Sequence, residues 1–201
     1  MSKQLIQICS HPRILYKDIS GSFKDLIKES SKLESTINLL EKIKELNEKA
    51  VIFTKYKIMQ QILRKVIFDK FGIWANIING EVSTNRLDLI SDFEKKKGFN
   101  VIILSPKAAG VGLNIVGANH VIHYTREWNP AVEKQATDRV YRIGQKRDVK
   151  VYYPISISSR GITVEQKLND LLNKKKKLFN SVIIPMDKLT ITEEELLEGI
   201  I

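Results

Sequence analysis

The stretch Ala50–Gly72, AVIFTKYKIMQQILRKVIFDKFG, decides the fold. It opens on an unbroken apolar run, Ala50-Val51-Ile52-Phe53. A run without polar alternation suits a strand buried on both faces. Thr54-Lys55-Tyr56 follows at the strand's C-terminal end. Ile58, Ile62, Val66 and Ile67 then recur at helical spacing as far as Gly72, a natural helix stop. Strand followed directly by helix is the repeating half of a parallel sheet.

The same alternation extends outward. Upstream, Ser31–Lys49 reads as an amphipathic helix carrying Leu33, Ile37, Leu40, Ile43 and Leu46. Downstream, Trp74–Asn79 reads as strand and Asn79-Gly80 as turn. Ser83 is the expected cap of a helix over Thr84–Lys97, with Leu87, Ile90 and Phe93 on one side and Gly98 after it. Asn100–Leu104 and Asn119–Tyr124 read as buried strands. Val149–Ile157, alternating and β-branched, reads as another, followed by a long helix over Thr163–Phe179 that carries Lys174–Lys177. The expected fold class is therefore α/β, a doubly wound, mainly parallel sheet flanked by helices. Ligands of such sheets lie at the C-terminal ends of the strands. Three segments fall there: Thr54-Lys55, Ser105–Asn114 and Thr125–Pro130. Residues 1–30 are weakly periodic: Met1–Cys9 reads as the end of a helix broken at His11-Pro12, with a connecting segment beyond. Such an opening suggests a chain cut from a longer protein. The acidic ending Thr192–Glu198, TEEELLE, reads as a short helix or the start of a further segment.

The densest chemistry lies in AVEKQATDRVYRIGQKRDV, Ala131–Val149. Asn129-Pro130 reads as a helix start and Gly144 as its stop. On one helix Gln135, Arg139 and Arg142 would share a face, and Val132, Ala136, Val140 and Ile143 would form a separate apolar stripe. Two guanidinium groups and an amide suit the grip of a triphosphate, although a face with two arginines is also what solvent favours. Ser105–Asn114, SPKAAGVGLN, puts small residues after a strand. They allow either close backbone approach to a phosphate or a plain tight turn. Neither G-x-G-x-x-G nor G-x-x-x-x-G-K-[ST] occurs in the chain.

Composition sets the bounds. The 201 residues are 43% hydrophobic and 28% charged, as in ordinary globular proteins. The formal charge of +10 favours a polyanionic partner, nucleic acid first, over a merely basic surface. A single cysteine, Cys9, excludes an intrachain disulfide and a cysteine-based zinc site, and makes an intracellular location the default. His11, His120 and His123 lack a metal-site spacing and read as structural, so no metal site is expected in this chain. No apolar run approaches the ~18 residues of a membrane span.

These segments carry a resemblance. QATDRVYRIGQKRDVKVYY resembles motif VI of the Swi/Snf family of superfamily-two ATPases, and VIILSPKAAGVGLN resembles motif V. Trp128-Asn129-Pro130 belongs to the same signature, and KAVIFTKY resembles motif IV. LIQICSHPRIL is similar to the lead into the second motor lobe, SSKLESTINLLEKI to its first helix, and GITVEQKLNDLLNKKKKLFNSVI to the helix that braces back across the lobes. The resemblance covers the chain to about Ile184. It implies a RecA-like second lobe over residues 31–160, preceded by a 1–30 connector from a first lobe and followed by a brace helix and tail over 161–201.

The resemblance also implies roles. ATP and Mg2+ would be used by the complete two-lobe enzyme and held tightly by neither this chain nor its face alone, because the Walker motifs belong to the first lobe. Arg139 and Arg142 would reach the phosphates, with Arg142 favoured as arginine finger. Gln135 would position the nucleotide or couple the lobes, and Gly112 and Asn114 would lie near the ribose and cleft. Thr54, Lys55, Ser105, Lys107 and the loop backbone at Gly110 would touch phosphates of double-stranded DNA, giving sequence-independent translocation without strand separation. The partners implied are that DNA and the first lobe, in the cytoplasm, on the nucleoid, or in a eukaryotic nucleus, with no membrane. The chain departs from the family pattern at Ala109, where a glycine is usual, at Thr125, where an aspartate is common, and at Glu127, where a bulky aromatic is common. Two other readings compete. A basic α/β module that only holds DNA explains the charge but leaves Gln135, Arg139 and Arg142 idle. A small-molecule enzyme needs a nucleophile or base, and no Cys/His or carboxylate pair presents itself.

Overall fold

A computed structural model describes residues 2–81, 85–108, 112–181 and 189–198, with side chains omitted at 178–181. Five parallel strands form one sheet in the order β2-β3-β1-β4-β5. They are β1 (Lys49–Phe53), β2 (Asn76–Ile78), β3 (Asn100–Leu104), β4 (His120–His123) and β5 (Lys150–Tyr152). The central strand β1 pairs with β3 on one side and β4 on the other, Ile52 standing opposite Ile103 and Ile122. The expected α/β class and parallel sheet are what the structure has.

Alternation along each buried strand feeds two helical layers. Ala50, Ile52, Val101, Ile103 and Ile122 face a core built with α3 (Ser31–Glu45) and α4 (Lys57–Phe71). Val51, Phe53, Ile102, Leu104 and Val121 face the opposite core, which takes Ile90 and Phe93 from α5 (Arg86–Lys95) and Ala136 from α6 (Pro130–Thr137). Each such fully buried Val, Leu, Ile or Phe side chain contributes about 1.5–3 kcal/mol. Helix α4 forms because Met59, Ile62, Leu63, Val66 and Ile67 make one buried stripe. It ends where Gly72 turns left-handed, at φ 69°, and its N–H donates to the Phe68 carbonyl at 2.8 Å.

A third, smaller core sits outside the sheet. Ile6 of α1 (Ser2–Ser10) packs with Val164, Leu168 and Leu172 of α7 (Val164–Ser181), and with Ile191 and Leu196 beside α8 (Glu193–Leu197). The acidic ending is thus a short helix, closed by a capping box between Thr192 and Glu195.

Several expectations need correction. The stretch expected to connect onward from His11 contains a 3-10 turn, Pro12–Ile14, and a short helix, α2 (Phe23–Lys28), capped reciprocally by Ser22 and Asp25. The last strand stops at Tyr152, because Tyr153 turns away to cover other side chains described below. Trp74, expected in a strand, is exposed before β2, as are Leu46 and Leu87, expected on apolar helix faces. The helix expected over Thr84–Lys97 begins at Arg86 behind Asn85, and Ser83 lies outside the described residues. The largest correction concerns the helix expected from Pro130 to Gly144. It ends at Thr137.

Candidate functional site

Two surfaces stand out, one at the C-terminal edge of the sheet and one where the chain after α6 returns to the N-terminal ends of β4 and β5. The first is a cleft of about 600 Å³ beyond β1 and β3, lined by Lys55, Lys57, Arg86, Ser105 and Lys107 among others. Backbone pairing fixes its floor. The Thr54 N–H donates to the Leu104 carbonyl at 3.0 Å, and the Ser105 N–H to the Ile78 carbonyl at 2.9 Å. The Ser105 hydroxyl accepts the Ala108 N–H at 3.2 Å, which closes the start of the loop. The Gln60 side-chain amide donates to the Thr54 carbonyl at 2.8 Å and accepts from Asn79 at 2.9 Å.

Three of the expected phosphate contacts, Lys55, Ser105 and Lys107, therefore share one cleft. Thr54 does not join them. Its side chain is buried, and its hydroxyl accepts from Thr125 at 3.1 Å. The Thr125 hydroxyl also takes the Lys55 N–H at 3.1 Å, so this threonine pair aims Lys55 from behind. The Thr54 side chain thus lies beneath the cleft and does not line it. Gly110 lies outside the described residues. Lys57 and Arg86 were not singled out by sequence, because lone cations on helix starts look like solvated surface.

The second surface follows α6. Asn129 caps that helix, accepting the Ala131 N–H at 2.8 Å, with Pro130 at its first position. Beyond Thr137 the chain runs as tight turns. The Val140 N–H donates to the Thr137 carbonyl at 2.9 Å, and the Gln145 N–H to the Arg142 carbonyl at 2.9 Å. These turns are stapled to the preceding loop. The Ile115 N–H donates to the Arg139 carbonyl at 2.9 Å, and the Gln145 amide donates to the Val116 and Ala118 carbonyls at 3.1 and 2.6 Å. The Arg142 guanidinium donates to Asn114 Oδ1. Gly112 has a left-handed φ of 61° with open space where a side chain would stand.

Arg142, Asn114 and Gly112 thus lie on one exposed turn-and-loop unit, with Arg139 at its base. Gln135 sits on the exposed side of α6, one element back, and does not share a helical face with the arginines. Ile143, expected in the apolar stripe, is 101% exposed, while Ala136 and Val140 are buried as expected.

Beside the cleft, at the start of α6, lies a charge network that sequence reading missed. Arg126 and Glu133 are each 1% exposed and pair in two parallel bonds, of 2.7 and 3.0 Å. Arg126 also donates to Asn169 of α7 and stacks over the Tyr153 ring at 4.2 Å. Lys176 of α7 reaches Glu133 and the Tyr153 hydroxyl, both at 3.3 Å. Burial alone would raise the Glu133 carboxyl, but the Arg126 bonds and charge hold it below the usual range. Helix α7 is thereby tied to the first turn of α6. Periodicity offers no trace of these pairs.

His123 stacks between Phe53 and Tyr153, each 5.3 Å away, and its Nε2 lies 2.8 Å from the hydroxyl of Thr137, the last residue of α6. Burial pushes its pKa down from 6.5 to about 4. The unfolded chain therefore binds this proton first as pH falls. The stabilisation, about 3 kcal/mol, is complete above the ordinary value and is lost as pH drops through about 4. Denaturation of the chain at pH values spanning that window should show a loss that His123→Gln lacks; equal losses would contradict it.

The fold and site define a class, and the comparisons agree with it. Residues 31–144 match the family model of the helicase conserved C-terminal domain. The chain belongs to that family, as the second RecA-like lobe of Swi/Snf-type ATPases. Relatives include Zorya protein ZorD of Escherichia coli O139:H28 (strain E24377A / ETEC), 42% identical over 96% of this chain. The putative ATP-dependent helicase/translocase YwqA of Bacillus subtilis (strain 168) is 40% identical over 91%. The chain spans only 18% and 19% of the lengths of those two proteins. Among solved structures, the Sulfolobus solfataricus SWI2/SNF2 ATPase C-terminal domain matches with a TM-score of 0.67 and 32% identity, covering 96% of this chain and 75% of that one. The core of that ATPase in complex with double-stranded DNA matches at 0.71 and 35% identity, over 96% of this chain and 39% of that one.

Proposed function

We propose that this chain is the second motor lobe of an ATP-driven, intracellular double-stranded DNA translocase, completing a nucleotide site whose phosphate loop lies in a first lobe. The observation that carries the reading is the stapling of Arg142 to Asn114, and of the Arg139 carbonyl to Ile115. It makes the cation-bearing turn and the preceding loop one unit, with the Arg142 guanidinium exposed on it. In phosphoryl transfer, charge spreads over the γ-phosphate oxygens, and a guanidinium presented there stabilises it. Arg142, exposed at the tip, is the finger. Arg139, at the base of the turn, supports it, and Gln135 faces the approaching lobe. The face suits phosphate oxygens. None of Gln135, Arg139, Arg142 and Asn114 has a carboxylate to offer Mg2+, so in the complete enzyme the metal would be held by groups of the first lobe and by ATP. By itself the chain binds ATP weakly and does not hydrolyse it.

The cleft is the DNA surface. Lys55 and Lys107, with Lys57 and Arg86, meet the phosphate backbone, and Ser105 adds a neutral partner. Contacts of this kind carry no base information, so movement is independent of sequence. The DNA-bound core of a relative 35% identical to this chain supports that reading. Lys107→Ala in the full-length protein should weaken binding to unrelated duplexes equally and lower the salt slope by about one. Unchanged affinity and slope would remove the cleft from the DNA path.

A further inference from the structure

The cleft that gathers Lys55, Lys57, Arg86 and Lys107 has one acidic residue among its described lining residues, Glu127. Its backbone is held on both sides. The Glu127 N–H donates to Glu133 Oε1 at 3.1 Å, and the carbonyl of the next residue, Trp128, accepts the Ile191 N–H at 2.8 Å. Glu133 is itself locked by Arg126. The segment therefore cannot swing away from the cleft without disturbing a buried ion pair. Glu127 also walls a smaller cleft of about 360 Å³ on its other side, with Lys3 of α1, Tyr56 and Trp128.

The charges around this carboxyl come from several elements. Lys55 beyond β1 and Lys107 beyond β3 favour its ionised form, and Glu133 of α6 opposes it. Burial outweighs the two lysines and raises the carboxyl above its ordinary range. A carboxylate in this place offsets the positive charge of Lys55 and Lys107 that an incoming phosphate would use, and repels the phosphate as well.

We propose that Glu127 is an affinity-limiting residue: a fixed negative charge that weakens the cleft's grip on the phosphate backbone. The proposal rests on reading the cleft as the DNA surface. A lobe that advances along a duplex must release each grip it makes. A built-in counter-charge loosens the grip while leaving the surrounding cations to draw the polyanion in. A phosphate entering the cleft then lies beside a carboxylate that repels it, or drives Glu127 to take up a proton.

The test is anisotropy titration of a short labelled duplex with the full-length protein, for wild type, Glu127→Gln and Lys107→Ala, over a range of salt and pH. Glu127→Gln should bind about tenfold more tightly near neutral pH, with a steeper salt dependence. Wild type should approach that affinity as pH falls toward the carboxylate range, and the variant should gain much less; the acid-dependent gain of wild type serves as the test even if the variant folds poorly. Weaker binding by Lys107→Ala with no gain in Glu127→Gln, and no acid-dependent gain in wild type, would overturn the proposal and leave the cleft reading standing. No effect of either substitution would overturn both.

Discussion

Replacing Glu165 by alanine is expected to destabilise the chain by about 3–5 kcal/mol, lowering its melting temperature by roughly 10 °C. Glu165 of α7 and Lys32 of α3 pair in the core with both side chains 0% exposed. Their attraction offsets the desolvation of two charges only while both are present. Removal of the carboxylate strands an ammonium over the Tyr124 ring, 4.9 Å from its centroid. Burial already pushes the Lys32 pKa down, so the variant would hold this lysine neutral. Glu165 also accepts the Ser156 N–H at 2.8 Å, which would lose its partner. The helix that loosens is the one that carries Asn169 and Lys176 to Arg126 and Glu133, so the effect reaches α6. Lys32→Met with Glu165→Leu should recover most of the loss, because apolar replacement of both partners leaves no buried charge. Thermal denaturation of the three proteins decides the matter. A loss under about 1 kcal/mol for Glu165→Ala would mean that the pair does not anchor the brace.

Such pairs mark the limit of what the sequence discloses. The strands β1, β3 and β4 and the helices α3 and α4 were legible because their apolar periods state which face is buried. Lys32 and Glu165 lie 133 positions apart, and Arg126 and Asn169 43 apart, so no local pattern joins them. Lys174–Lys177 reads as a solvated run, yet Lys175 reaches the Thr190 carbonyl and Glu195 while Lys176 reaches Glu133. The start of α6 was legible in Asn129-Pro130, but its end was not. Propensity allows a helix to Gly144, and tertiary bonds from Ile115 and Gln145 draw the chain into turns at Thr137. The Ser22–Asp25 capping box was visible in the sequence but had no apolar period behind it to mark a helix.

At the candidate site the residue types were legible and their grouping was not. Lys55, Ser105 and Lys107 do meet in one cleft, as their places at strand ends imply. Thr54 falls one position short of it, because the residue next after the buried strand β1 is still covered, its hydroxyl bonded to Thr125. Arg142 and Asn114 come from segments 28 positions apart and are joined only by the stapled turn.

That turn carries the second large effect. Arg142→Ala in the full-length protein is expected to lower DNA-stimulated ATP turnover by about 10³-fold or more. The guanidinium is exposed and bonds Asn114, which is exposed too, so its loss leaves the cores intact. The DNA cleft uses other residues, so duplex affinity should stay within about twofold. Stability and DNA binding thus serve as internal controls that separate a missing finger from a damaged lobe. The decisive measurement is ATP turnover by wild type and Arg142→Ala at saturating duplex, alongside their duplex affinities. Collapsed turnover with retained affinity is the result expected of half a nucleotide site. Unchanged turnover with retained affinity would contradict that role, and would leave a basic α/β module that only holds DNA.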